Sequence, residues 1–210
     1  NKLTGSSPLE DFPNFESVYR SEKLFPAFQN RVLNQNRVDF AQYMQWMDLD
    51  PKNNDPLDIL AISGGYRVTD HFEVFPKIVR EPNGDFQCRF FVHGWRHVNP
   101  ASQERLRSLR PGESLSLALE LTNPVTGFAI QLQTRDYFTV GWAPRYLVND
   151  LVKVMAEAPH KYEIDLVRVN PAPAPYKQRF LVELRGKWPE GYKPMSSPEF
   201  EVLAAAESES

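Results

Sequence analysis

Hydrophobic and polar positions alternate through much of the chain with the period of two that is typical of β-strands. Gly, Pro and Asn residues separate these runs and mark turns between them. The predicted strands lie at 90–98, 114–121, 128–133, 137–142, 162–169 and 180–188, with a looser alternation at 67–74. The proline-rich stretch 170–175 is short enough to be a loop between two of the strands.

Helical spacing is concentrated in the first third of the chain. Phe40, Tyr43, Met44 and Met47 recur at i, i+3, i+4 and i+7, behind Asp39 as a candidate cap. Further helices are predicted around 26–33, at 56–62 before a glycine pair, at 101–109, and from about 142 to 157 with a proline in its first turn. We expect the 40–47 helix to pack its apolar face on the sheet; the alternative is that this face binds a partner.

Three short motifs follow one another in the middle of the chain. They are Gly94-Trp95-Arg96-His97, then Asn123-Pro124 with Ala129-Ile130, then Val140-Gly141 with Pro144-Arg145. In this order and spacing they resemble the HIRAN domain, a β-barrel module attached to DNA-repair translocases and also found alone in bacteria. The resemblance extends from residue 90 to about 155.

The resemblance and the strand pattern together predict an α+β fold. We expect a small, mainly antiparallel β-barrel of the HIRAN or OB type with short helices and a helical N-terminal extension. The predicted division is a flexible N-terminus at 1–14, the helical extension at 15–76, the HIRAN-like barrel with its C-terminal strands at 77–200, and a flexible tail at 201–210.

The resemblance also implies a function, because HIRAN modules accommodate single-stranded DNA and in particular its free 3′ end. Carried over by position, Arg96 would contact phosphate and His97 would stack on or hydrogen-bond to a terminal base. Asn123 and Thr126 would approach the terminal sugar, while Trp142 and Arg145 would line the opposite wall. Stacking of a base on an aromatic ring contributes about 1–3 kcal/mol.

One departure from the family pattern affects this expectation. The acid that usually follows Asn-Pro-x is replaced by Thr126, and the neighbouring aromatic residue is Val125. A hydroxyl accepts a hydrogen bond from a 3′-hydroxyl more weakly than a carboxylate does. The resemblance therefore implies binding of single strands or DNA ends, and leaves 3′-end recognition open.

The charge distribution adds support for a local anion-binding surface. The net charge is −3, which argues against a uniformly basic nucleic-acid-binding protein. Residues 86–110 nevertheless carry five arginines and one glutamate, a local charge of +4, whereas residues 1–76 have a local charge of −4. A solvated basic face without a ligand explains this contrast equally well.

Other classes of function find little support in the sequence. A single cysteine, Cys88, excludes an internal disulfide and cysteine-rich zinc motifs, which suits a cytoplasmic location. His93 and His97 would lie about 13 Å apart on a strand, too far to share a metal ion. No nucleophile motif, membrane-spanning run or signal segment is present. We therefore expect no catalytic residues, cofactor, metal or membrane association.

Two alternatives to nucleic-acid binding remain at this stage. The first is a protein-interaction module of a bacterial regulatory or defence system, in which the aromatic and methionine-rich segment 15–48 binds a partner. The second is a hydrolase that uses a metal not evident from the sequence. We expect the nucleic-acid-binding module.

Overall fold

A six-stranded antiparallel sheet forms the centre of the protein in a computed structural model that describes residues 11–14, 16–52, 55–67 and 72–203. The strands are β1 (Asp85–Phe91), β2 (Ser114–Asn123), β3 (Gly127–Thr134), β4 (Thr139–Trp142), β5 (Tyr162–Val169) and β6 (Phe180–Lys187). Their order across the sheet is β1-β6-β5-β2-β3-β4. The helices are α1 (Pro26–Gln29), α2 (Phe40–Trp46), α3 (Pro56–Ser63), α4 (Pro100–Arg107) and α5 (Val148–Glu157).

The sheet is not closed into a barrel, so the predicted α+β class is confirmed and the predicted barrel is wrong. Its edge strands β1 and β4 meet only beyond the end of β1, where His93 and Trp142 form one antiparallel bridge. Both backbone hydrogen bonds of that pair are 2.9 Å long. Gly94 turns the chain away immediately after this pair, so the pairing of the two edge strands does not continue into a ladder of backbone hydrogen bonds.

The main core lies on one face of this sheet. It contains Phe90, Ile130, Leu132 and Val182 from the strands, and α5 contributes Leu151 among others. The amphipathic spacing of α5 explains this position, because its apolar residues recur on one side. Burial of these side chains fixes the register of the strands that carry the motifs described above.

The N-terminal helices cover the other face at β1 and β6. Phe40, Met44 and Met47 of the α2 region pack with Phe91 and Leu181 in a second buried cluster. This confirms that the 40–47 segment is a helix packed on the sheet. Asp39 precedes the helix as predicted, but its carboxylate pairs with Arg37 instead of capping the helix. The proposed boundary between residues 76 and 77 stays a prediction.

Several elements differ from the sequence prediction. The 90–98 run is not one strand, because β1 ends at Phe91 and Trp95–His97 form a 3-10 helix. The 67–74 strand is not formed by its described residues, and 68–71 lie outside them. The helix predicted from 142 begins at Val148, after a 3-10 turn at Arg145–Leu147. The flexible ends predicted at 1–14 and 201–210 fall mostly outside the described residues, at 1–10 and 204–210.

Within the described ranges, every helix is too short or too polar to traverse a lipid bilayer.

Candidate nucleic-acid interface

Arg96 and His97 lie on the 3-10 helix that follows Gly94. Gly94 has a φ of +67°, the left-handed conformation that glycine adopts with little strain, and this turns the chain out of the sheet. Both side chains are exposed and face one shallow cavity of about 280 Å3. On a regular strand two neighbouring residues would point to opposite faces, but on this 3-10 helix Arg96 and His97 line the same cavity.

Arg96 and Lys177 form a cluster with two aromatic rings. The Arg96 guanidinium lies over the Tyr176 ring, 3.9 Å from its centroid. Lys177 lies over the ring of Tyr66 at 3.2 Å. The neighbouring Tyr176 hydroxyl raises the pKa of Tyr66. Tyr66 and Tyr176 remain 44% and 43% exposed, so the cluster is accessible from solvent.

Trp95 anchors this cluster to the sheet. Its indole N–H donates a hydrogen bond of 2.6 Å to the Tyr176 carbonyl, and its ring packs edge-on against Phe180 with a centroid distance of 5.6 Å. Arg179 lies on the same ring at 5.8 Å. The loop that carries Tyr176 is thereby fixed relative to the helix that carries Arg96.

Trp142 connects the Arg96 region to the Asn-Pro turn. Its ring lies against Gly94, and its indole N–H donates to the Glu120 carboxylate. Asn123 donates to the same carboxylate oxygen at 3.1 Å. Burial raises the pKa of Glu120, but hydrogen bonds from Asn123, Trp142 and Gln131 outweigh that effect and hold the pKa below its usual value. Glu120 is therefore a carboxylate that joins two walls of the site.

Asn123 and Thr126 are engaged within their own turn. The Asn123 side-chain oxygen accepts hydrogen bonds from the backbone N–H groups of Val125 and Thr126, at 3.0 and 3.1 Å. The Thr126 hydroxyl lies 3.0 Å from the Phe128 carbonyl and 3.1 Å from the Asn123 side-chain oxygen. Asn123 thus shapes the turn, and the hydroxyl hydrogen of Thr126 is used inside it.

Thr126 and Arg145 share a different cavity from Arg96 and His97. This cavity has a volume of about 470 Å3, and its walls include Phe128 and the ring of Tyr146. Tyr146 stacks on Phe75 with ring centroids 4.1 Å apart. The six predicted residues therefore do not share one cavity. Arg96 and His97 line one cavity, and Thr126 and Arg145 line the other. Trp142 and Asn123 lie between them and are joined through Glu120.

Ion pairs with carboxylates neutralise some of the arginines that give residues 86–110 their positive charge. Arg89 pairs with Glu183 and Asp48, Arg105 with Glu113 and Asp136, and Arg107 with Glu104. In the part of the chain that the structure describes, no carboxylate lies within 4.0 Å of the charged nitrogens of Arg96, Arg145, Lys177 or Arg179. Glu104 is already counted in the +4 of residues 86–110, so carboxylates outside this stretch neutralise only Arg89 and Arg105. Arg96 and Lys177 line one cavity, and Arg145 lines the other.

The sequence motifs did not indicate four residues that belong to this region: Tyr66, Glu120, Tyr176 and Lys177. Tyr176 and Lys177 directly follow the proline-rich loop, and Tyr66 follows the glycines that end α3. An aromatic residue beside a cation at the end of a loop was a usable signal. Glu120 carried no such signal, because its role depends on Trp142, which is distant in sequence.

The described residues contain no group of three or more His, Cys, Asp and Glu side chains arranged to hold a metal ion.

Comparison with known proteins gave two similar structures. No protein-family model and no curated protein sequence matches this chain. A crystal structure of a protein from Lactobacillus plantarum is 21% identical, with a TM-score of 0.37 over 50% of this chain and 99% of that one. The HIRAN domain of human HLTF is 17% identical, with a TM-score of 0.38 over 52% of this chain and 84% of that one. A HIRAN domain is thus among the solved structures to which this chain is similar.

Proposed function

We propose that this chain is a non-catalytic nucleic-acid-binding module that takes single-stranded DNA or DNA ends. The observation that carries the proposal is the exposed cluster of Arg96 on Tyr176 and Lys177 on Tyr66. Neither cation has a carboxylate partner within 4.0 Å in the described part of the chain. The motif resemblance supports the proposal, because it implies that Arg96 contacts phosphate and that His97 contacts a terminal base.

The stacking geometry leaves the binding groups of Arg96 available. A guanidinium is planar and carries five N–H donors around its edge, so stacking on Tyr176 uses its face and spares the donors. Those donors suit phosphate oxygens, to which they form strong charge-assisted hydrogen bonds. Exposed rings nearby offer a surface for bases, at about 1–3 kcal/mol per stacked base.

A single strand fits this surface better than a duplex does. Rings in a shallow cavity contact the faces of bases, and those faces are covered in a duplex. Duplex binding without base contacts depends instead on many phosphate contacts. Here the net charge is −3, and Arg89, Arg105 and Arg107 are already paired with carboxylates.

We expect little preference for a free 3′ end. The hydroxyl hydrogen of Thr126 is directed into its own turn, and no charge is present at this position to hold a 3′-hydroxyl. Free and blocked ends should therefore bind with similar affinity.

A non-catalytic role agrees with the chemistry of the lone cysteine. Burial raises the pKa of Cys88 to about 12, with further contributions from Glu183 and Asp150. A thiol with such a pKa is protonated at neutral pH and is a poor nucleophile. The apolar face of α2 packs against Phe91 and Leu181, so this face of the segment 15–48 is not available to a protein partner.

Fluorescence anisotropy tests the proposal. The probes are 5′-labelled oligonucleotides of about 12 nucleotides, used as single strands, as duplexes and as single strands with a 3′ phosphate. We expect micromolar or tighter binding of single strands that weakens with salt. Arg96→Ala should weaken binding about tenfold and reduce the salt slope by about 0.7. Arg145→Ala should weaken it to a smaller extent.

Arg107→Ala is the matched control, because this exposed arginine is paired with Glu104 on the surface. It removes the same charge and should leave binding near wild type. Absence of salt-dependent binding, or an equal loss in the Arg96 and Arg107 variants, contradicts the proposal.

A further inference from the structure

A third cavity opens beside the cluster of Arg96, Tyr176, Lys177 and Tyr66. Its volume is about 280 Å3, and it lies between the N-terminal extension and the sheet. Ile62 and Val74 contribute apolar wall from the extension, while Phe90 and Pro144 contribute it from the side of the sheet. Polar side chains, among them Ser63, His93 and Lys177, share the lining with these apolar walls, and such a mixed lining suits a flat organic group with a hydrogen-bonding edge.

Glu73 is the acidic side chain of this cavity, and it is available for binding. Its carboxylate lies 3.9 Å from His93 Nε2, which is too far for a hydrogen bond. No donor among the described residues bonds to this carboxylate. Burial raises the pKa of Glu73 although 42% of its side chain stays exposed, and the charge of Lys177 acts in the opposite direction. An acceptor that has lost part of its water without gaining a donor favours a ligand that supplies one.

The cavity adjoins the surface proposed to bind the strand. His93 and Lys177 line both this cavity and the cavity of Arg96 and His97. Tyr146 lines both this cavity and that of Thr126 and Arg145. A strand held at Arg96 can therefore direct a base past Lys177 towards Glu73.

We propose that this cavity takes one nucleobase of the bound strand and that Glu73 accepts a hydrogen bond from the exocyclic amino group of that base. The inference rests on the proposed function and adds selectivity to it. Cytosine, adenine and guanine carry such a group, whereas thymine and uracil present a carbonyl oxygen there. A carboxylate facing a carbonyl oxygen is repelled and left unpaired. The site therefore selects amino-bearing bases.

Deoxycytidine and deoxyuridine make the sharpest comparison, because they share ring size and differ at the edge that carries the amino group. An oligonucleotide of about 12 deoxyuridines is titrated after one position at a time is replaced by deoxycytidine. We expect one position at which the replacement tightens binding about tenfold. Glu73→Gln should abolish most of that difference, because its amide can donate to the uridine carbonyl as well as accept from the cytidine amino group, so the all-uridine strand should bind more tightly than it does to wild type.

Glu163→Gln is the control, since this carboxylate is 81% exposed on β5 and lines neither cavity. It should retain the preference for cytidine. Thermal unfolding of each variant checks that the fold is intact, and the wild-type comparison stands even if Glu73→Gln does not fold.

The outcomes separate the two proposals. Failure to bind any oligonucleotide contradicts the proposed function itself. Binding with no preference for cytidine at any position overturns the base pocket alone. A preference that survives in folded Glu73→Gln also overturns it, because another group must then supply the discrimination.

Discussion

The ring of Trp142 lies so close to Gly94 that a Cβ atom at position 94 would come within 2.5 Å of the ring. Gly94 also has a φ of +67°. Absence of a side chain at this position therefore allows two things at once: the chain turns into the helix of Arg96, and the indole reaches Glu120.

Gly94→Ala should be destabilising for both reasons. We expect about 1 kcal/mol for the left-handed backbone and a further 1–3 kcal/mol for the contact with the ring. Gly112→Ala is the matched control, since it has a φ of +88° and nothing within 4 Å of the added atom. Urea unfolding of both variants measures the difference. Equal losses would contradict a packing role for Gly94.

Glu120→Ala should loosen the connection between the two walls of the site. It leaves the indole N–H of Trp142 and the amide of Asn123 without their shared acceptor, at a cost of about 1–3 kcal/mol. Glu120→Gln retains an acceptor and should lose less. The indole N–H resonance of Trp142 should shift in the alanine variant.

Glu104→Ala is the control for that substitution. Its exposed pair with Arg107 should contribute less than about 1 kcal/mol. An unchanged Trp142 resonance in Glu120→Ala would show that the hydrogen bond is absent in solution.

Tyr176 is expected to act through its ring. Tyr176→Leu should weaken single-strand binding by about 1–3 kcal/mol, because it removes the platform on which Arg96 and a base stack. Tyr176→Phe keeps the ring and should bind nearly as wild type, while the pKa of Tyr66 falls towards its usual value. Anisotropy titrations compare them, and equal weakening would argue that the hydroxyl is the group that matters.

His93 should make folding stability depend on pH. Burial, with the charge of Lys177, lowers its pKa from 6.5 to about 4. The neutral ring is then favoured in the folded state, so its contribution is complete above pH 6.5 and is lost as pH falls towards 4. With 46% of the side chain exposed, we expect a modest slope.

His93→Gln should flatten the decline in unfolding free energy between pH 6.5 and 4, measured by urea unfolding. Glu73 titrates in the opposite sense because its pKa is raised, and it lies 3.9 Å from His93, so the same comparison in a Glu73→Gln background separates the two groups. Parallel curves for the two proteins would mean that His93 titrates normally in the folded state.

Met44 should be important for stability because it lies in the cluster between α2 and the sheet. Its side chain is 0% exposed, and Met44→Ala should cost about 2–5 kcal/mol. Val38→Ala removes a fully exposed apolar side chain and should change stability by less than about 0.5 kcal/mol. Similar denaturation midpoints for the two variants would contradict this packing.

The sequence predicted most strands well and the connections less well. The bounds of β5 match the prediction because its alternation is regular and it lies inside the sheet. The 90–98 run failed because its apolar residues conceal the left-handed Gly94. Likewise β4 begins at Thr139 and not at 137, since Tyr137 has a φ of +66° in the preceding turn.

The candidate site was predicted only in part for a related reason. Local motifs identified Arg96 and Trp142, but not partners that the fold brings from distant segments, such as Tyr66 and Tyr176. Counting local charge also failed, because Arg105 is neutralised by Asp136, a residue of the turn between β3 and β4. These contacts depend on tertiary structure that no short stretch of sequence encodes.

The cluster between α2 and the sheet limits how this chain can be recombined with other domains. Phe91 and Leu181 belong to β1 and β6, yet they are covered by Phe40, Met44, Met47 and Ile59. A gene fusion or excision that separated these segments would leave large apolar side chains in water and favour aggregation. The two segments should therefore be inherited as one unit, and substitutions at Met44 and Leu181 should covary among descendants.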